Sequence, residues 1–246
     1  MTHSRKSLLV VGLLTFVAGL ILLFPARVAY QWFAPDSVSL GGIQGSIWSG
    51  MAREANAGGF YLRDLRWRMR PLRLFTGKLG FGIEATPGSG FVEGDLALGL
   101  GGSVSITNLD ASGSLQTFAG LLKMPGLKGN VSVQFERLQL RDGLPVAADG
   151  TVAVDGLVAP LIDPAPIGGY RMEFFTNEDG VAASVEDANG AFDLAGSLTV
   201  SADRSYVFLG KVAATEQTSE KLRGQLRFLG SPDARGQHEI RLEGSL

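Results

Sequence analysis

Residues 60–75 of this 246-residue chain read FYLRDLRWRMRPLRLF, and their spacing decides the fold class. Leu65, Trp67 and Met69 fall on one side of an extended backbone and Arg66, Arg68 and Arg70 on the other, because successive strand side chains point to opposite faces. The stretch is a half-buried strand whose wet face is cationic. Pro71 ends it, since proline has no N–H for the ladder and biases Arg70 toward extended geometry. The arginine face has two readings. It is a contact for an anion, a lipid headgroup or an acidic partner, or a solvated face balanced by cross-strand carboxylates.

The same alternation recurs downstream. Leu96, Leu98 and Leu100 alternate, then Val104 and Ile106. Val131, Val133 and Phe135 keep one parity before the phase shifts to Leu138 and Leu140, which predicts a β-bulge near Glu136 and Arg137. Asp149-Gly150 before Val152 and Val154 is a hairpin signal. Phe192, Leu194, Leu198 and Val200 share a parity around Gly196, and Leu222, Leu226 and Phe228 repeat the device around Gly224. Ile240 and Leu242 close the series. Turn signals roughly every ten residues mark an antiparallel meander, and glycine on the inward parity marks close approach or curvature. The expected domain is all-β, a strongly curved antiparallel meander (a folded-over sheet or half-barrel) with few short helices. Residues 117–123, stopped by Pro125, and residues 217–222 are the helical candidates. Pro160, Pro164 and Pro166 mark a weak lobe break at residues 160–169 inside one continuous domain.

Residues 7–24, SLLVVGLLTFVAGLILLF, carry no charge. As a helix they reach roughly 27 Å, close to the hydrocarbon thickness of a bilayer. Arg5 and Lys6 precede the run, which keeps residues 1–6 cytoplasmic. Arg27, Tyr30, Trp32 and Phe33 follow it as an interfacial belt. A cleaved signal peptide fits less well, because the apolar run is long and Arg27 or Phe24 occupies the position where cleavage wants a small side chain. The expectation is one N-terminal transmembrane helix at residues 7–24 and a β-rich periplasmic domain at residues 25–246.

Little in the composition points to catalysis. With no cysteine there is neither a disulfide framework nor thiol chemistry, and the net charge of −2 argues against nucleic-acid binding. The two histidines, His3 and His238, leave a transition-metal site without ligands. Gly77-Lys78 and Gly210-Lys211 lack the rest of a P-loop, and Gly80-x-Gly82-x-x-Ala85 has no βαβ unit around it. Asp163, Glu186 and Asp187 lie in turn-like context, where Asp is favoured by local hydrogen bonding. No cofactor and no small-molecule substrate is expected, and the chain does not read as an enzyme. Residues 41–50, GGIQGSIWSG, resemble a ligand cradle, but no helical period follows to aim N–H groups at an anion. They read instead as the hinge that starts the sheet, with Trp48 as an apolar cap.

The order of these features is similar to a known family. An anchor is followed by G-x-x-W-x-G as Gly45, Trp48 and Gly50, then W-x-M-x-P-x-x-L-x-x-G-x-L as Trp67, Met69, Pro71, Leu74, Gly77 and Leu79. The chain ends on L-G-x-P-D-x-x-G as Leu229, Gly230, Pro232, Asp233 and Gly236. In this the chain resembles the type II secretion system protein N family, also called general secretion pathway protein N. More distantly it is similar to AsmA-like proteins. The resemblance implies a single-pass protein of a Gram-negative inner membrane, short N-terminus inside and bulk in the periplasm. It also implies an accessory role in exporting folded proteins across the outer membrane. Its partners would be other secretion proteins of the inner-membrane platform and periplasm, with inner-membrane lipid around the anchor. The alternative is an AsmA-like lipid-binding or lipid-guiding module with an apolar groove. An open apolar trough lined by Phe192, Leu194, Leu198, Leu226 and Phe228 would favour lipid, and a packed interior would favour protein contacts.

Overall fold

The computed structural model describes residues 2–34, 38–57, 59–99, 101–117, 126–178 and 180–245, with backbone alone at 2–6 and 57. Two helices open the chain, α1 (Thr2–Leu22) and α2 (Ala26–Phe33). The strands then run β1 (Val38–Gly41), β2 (Gln44–Gly45), β3 (Ser49–Ala57) and β4 (Phe60–Met69). A 3-10 helix (Pro71–Thr76) leads to β5 (Lys78–Pro87), β6 (Gly90–Gly99), β7 (Ser103–Ser114), β8 (Lys128–Arg141) and β9 (Leu144–Val158). Next come β10 (Gly169–Asn177), β11 (Gly180–Ala188), β12 (Phe192–Ser201) and β13 (Ser205–Ala214). Finally α3 (Glu220–Leu226) and a 3-10 turn (Arg227–Leu229) precede β14 (His238–Ser245).

All the strands join one 14-stranded antiparallel sheet in which β1 and β2 both pair with β3 and, from β3 on, neighbours in sequence are neighbours in space. The sheet is open, with β1 and β14 at its edges. Pairing runs unbroken from β9 to β10 across the proline cluster.

The two faces differ as the alternation at residues 60–69 predicts. Met69, Phe81, Leu96, Ile106, Leu138 and Ala148 stand opposite one another in turn from β4 to β9. Arg66, Glu84, Glu93, Asp110 and Gln134 form the matching row on the other face. The apolar row stays in phase because bulges absorb extra residues. Asp64 (φ 51°) is extra in β4 and Asn108 (φ 51°) in β7. The register also shifts between Phe135 and Arg137 in β8, at the predicted bulge. Such bulges bend strands and raise their twist, and across β8–β11 Phe135, Ala148 and Val181 form one buried cluster with Phe174 against it.

Beside that bulge Arg137 donates from Nε to Asp149 Oδ2 at 2.7 Å, and Thr176 N–H reaches Asp149 Oδ1 at 3.2 Å. Burial alone would raise the Asp149 carboxyl, but these hydrogen bonds and the Arg137 charge hold it below its ordinary value. A depressed carboxylate stabilises the fold above its unfolded pKa, and that contribution is lost as pH falls through the folded value. Asp149→Asn is therefore expected to lower stability at neutral pH by about 0.5–1 kcal/mol. It is also expected to flatten the loss of stability below about pH 4. Urea midpoints at pH 7 and pH 3 check both parts.

Several expectations require correction. β9 runs straight through Asp149-Gly150, so no hairpin forms there; the turn is at Asp142 (φ 51°) and Gly143 (φ 79°). Gly150 is instead a close-approach site, because a Cβ there would lie 2.6 Å from Cδ1 of Phe135. Leu222 and Leu226 are not on a strand. They are the buried face of α3, whose N-cap Ser219 accepts from the Leu222 N–H at 3.3 Å, while Phe228 is exposed. Positions four apart satisfy both periods, and the serine cap decides between them. Leu100 and most of the 117–123 candidate lie outside the described residues.

The N-terminus also differs from expectation. α1 ends at Leu22, so residues 7–22 supply about 24 Å of helix. Among the described residues no helix is long and apolar enough to cross a membrane.

Candidate functional site: an arginine-lined groove beside α1

On the polar face of β3–β7 lies an open groove of about 1180 Å³. Arg66, Arg68, Arg70, Arg73, Glu84, Glu93, Asp95 and Asn108 are among its walls. Arg66 stands opposite Glu84, which faces Glu93 on the next strand. Arg68 stands between Ser49 and Gly82, neither of which offers it a charge. Arg70 is fixed: its Nη2 lies 2.5 Å from Oδ1 of the buried Asp95, whose Oδ2 accepts from Asn108 Nδ2 at 3.3 Å. Arg73 lies across Gly80 and donates to Thr107 Oγ1 at 3.3 Å. Among the described residues, the ion pairs include neither Arg66 nor Arg68. The three arginines predicted from alternation thus share one groove, with one neutralised and two available to a planar, bidentate anionic group. Arg73, Glu84, Glu93, Asp95 and Asn108 were not foreseen. Only the strand register aligns them, and no local pattern in the sequence encodes it.

The first landmark, Gly45–Gly50, builds the junction between sheet and helix. β2 and β3 pair as a tight hairpin, with Gly45 at φ 87°. The Trp67 indole lies on Gly50 and donates to the Ser46 carbonyl at 3.2 Å; a Cβ at Gly50 would meet Cζ2 of Trp67 at 2.5 Å. Trp48 does not plug the sheet as expected. Its Nε1 donates to the Ile21 carbonyl at 2.8 Å, tying the hairpin to the end of α1. In the second landmark Pro71 opens the 3-10 helix and Gly77 (φ 69°) closes it. Leu74 and Leu79 are exposed, Leu79 lying opposite Leu98. The third landmark is not at the groove. Asp233 Oδ1 accepts from the N–H groups of Arg235 (2.8 Å) and Gln237 (3.0 Å), and Gly236 N–H returns to the Asp233 carbonyl at 2.9 Å. Pro232 precedes this turn, Gly230 gives its carbonyl to His238 Nδ1 at 2.9 Å, and β14 begins there.

Gly80 and Gly82 lie within antiparallel β5, so no phosphate-binding βα turn exists at that fingerprint. Among the described residues no group of His, Asp and Glu is placed to hold a metal. What the groove can do is hold a negatively charged group on a rigid sheet.

The class is therefore an open, single-sheet β protein with an apolar N-terminal helix and a groove of arginines and carboxylates on the polar face of the sheet. The family model for type II secretion system protein N matches residues 36–241, and the chain belongs to that family. It is 24% identical to the type II secretion system protein N of Vibrio cholerae serotype O1 over 239 residues, 94% of each chain. It is 22% identical to that of Aeromonas hydrophila over 244 residues, covering 95% of this chain and 96% of the relative. No solved structure matches the chain.

Proposed function

We propose that this protein is an inner-membrane-anchored accessory component of a type II secretion system, acting through protein–protein contacts of its periplasmic sheet. Family membership over residues 36–241 carries the reading. The anchor is residues 7–24. Residues 7–22 of α1 supply about 24 Å of it at 1.5 Å per residue. Leu8, Leu9, Val10, Val11, Leu13, Leu14 and Phe16 all stand exposed along it. A helix apolar on every side needs a membrane or a protein core around it, and Arg5 and Lys6 keep its start cytoplasmic.

The seven ionisable side chains in the groove, Arg66, Arg68, Arg70, Arg73, Glu84, Glu93 and Asp95, favour a protein contact, although Met51, Trp67, Met69, Leu72 and Ile83 line it too. Of the residues expected to line an apolar trough, Phe192 packs with Leu127, Ile167 and Leu222, and Phe228 is exposed. The partner that fits Arg66 and Arg68 is an acidic segment of another secretion component. Arg66→Glu combined with Arg68→Glu is expected to lower release of secreted enzymes several-fold, with the protein at its normal level. Unchanged release with both charges reversed removes the groove from the mechanism.

A further inference from the structure

We infer that the 3-10 helix Pro71–Thr76 is a second membrane contact, dipping Leu72 and Phe75 into the phospholipid surface beside the anchor. Its position follows from a chain of contacts. Trp48 Nε1 holds the Ile21 carbonyl at the end of α1, and Met69 N–H donates to the Trp48 carbonyl at 2.6 Å. The 3-10 helix begins two residues later, so it emerges at the level where α1 ends. Two of its side chains are apolar and largely uncovered: Leu72, at the edge of the groove, is 77% exposed and Phe75 89%. Two adjacent apolar side chains this exposed are unusual on a face turned to water.

The charge pattern commits the occupant to lipid. No acidic residue lies between Arg66 and Lys78 in the sequence; Arg70 is neutralised by Asp95, which leaves Arg73 and Lys78 to flank the apolar tip. Cations at headgroup level with apolar side chains beyond them are what an anionic bilayer surface attracts. The tip is also held rigidly. Arg73 is pinned over Gly80 and to Thr107, and the Gly77 N–H closes the turn on the Leu74 carbonyl at 3.0 Å. α2 adds a third point of contact, with Trp32 and Phe33 exposed and Trp32 packed on Phe24 at 5.9 Å between ring centroids. Together α1, α2 and the tip would fix the tilt of the sheet over the membrane, and with it the direction in which the groove opens.

The inference rests on the anchor reading, and one experiment separates the two. The chain has no cysteine, so single-cysteine variants of the full-length protein can carry a polarity-sensitive dye. The protein is reconstituted in phosphatidylethanolamine–phosphatidylglycerol vesicles containing brominated lipid. Leu14→Cys reports the anchor, Leu72→Cys and Phe75→Cys report the tip, and Leu161→Cys and Phe228→Cys, exposed in the loops at the opposite strand ends, are controls. The expected result is several-fold stronger quenching at 14, 72 and 75 than at 161 and 228. Quenching at 14 with both tip positions at control level overturns the lipid contact and leaves the anchor standing. No quenching at 14 overturns the anchor and the tip contact with it.

Discussion

Phe135→Ala is expected to destabilise the protein by about 3–5 kcal/mol. Phe135 is 8% exposed, next to the register shift in β8. Its ring packs against Phe174 with centroids 5.4 Å apart. It also lies over Gly150 directly across the strand pair, as the 2.6 Å approach to a built Cβ shows. Its removal leaves a cavity flanked by the backbone of Gly150, with no side chain there to relax into it. Loss of the ring also frees the bulged strand to straighten, so the register of Leu138 beyond the bulge is at risk. Phe135→Leu keeps most of the volume and should retain more than half of the lost stability. Urea unfolding of the two variants beside the parent decides the matter. A shift below 1 kcal/mol for Phe135→Ala would mean that this cluster does not organise the sheet.

Gly50→Val is the second large effect, expected at about 2–3 kcal/mol and localised at the membrane junction. The new side chain would collide with Cζ2 of Trp67 and with the Gln44 carbonyl, 2.6 Å from a Cβ at that position. The Gln44 backbone is part of the β2–β3 hairpin and cannot move without breaking that pairing. The indole is therefore displaced and loses its bond to Ser46, and the Trp48–Ile21 contact next to it loosens. Tryptophan emission should shift to the red and the hairpin should become protease-sensitive, while the β8–β11 cluster unfolds at its parental denaturant concentration if the two regions are independent. Gly50→Ala should show a smaller change of the same sign. Parental emission in Gly50→Val would contradict the stacking of Trp67 on Gly50.

Both sites show how far the sequence could be read. The strand at residues 60–69, the meander and the bulge after Phe135 were legible because period-two alternation records a half-buried face, and a bulge must break its phase. The use of glycine was only half legible. Of the two glycines read as inward-facing, Gly196 has the Phe208 ring against it, whereas Gly224 lies in α3 with nothing within 4 Å; rings also approach at Gly50 (Trp67) and Gly150 (Phe135), which had the composition of a hinge and a turn. Asp149-Gly150 has the composition of a turn and the function of a ring platform, and nothing within a few residues separates the two. The arginine row was legible for the same reason as the strand, yet its outcome was not. Arg70 is neutralised by Asp95, 25 positions away and in reach only after two hairpins set the register. The bond from Trp48 to the Ile21 carbonyl was likewise not legible, because it depends on where α1 ends.

The most direct test of the account is fractionation of a strain lacking this gene, beside the same strain carrying it on a plasmid. The activity of a secreted enzyme is measured in medium and periplasm. The account predicts that the enzyme falls in the medium and accumulates, folded, in the periplasm, that the plasmid copy restores release, and that ordinary periplasmic proteins are unaffected. A secreted protein profile identical with and without the gene would contradict it.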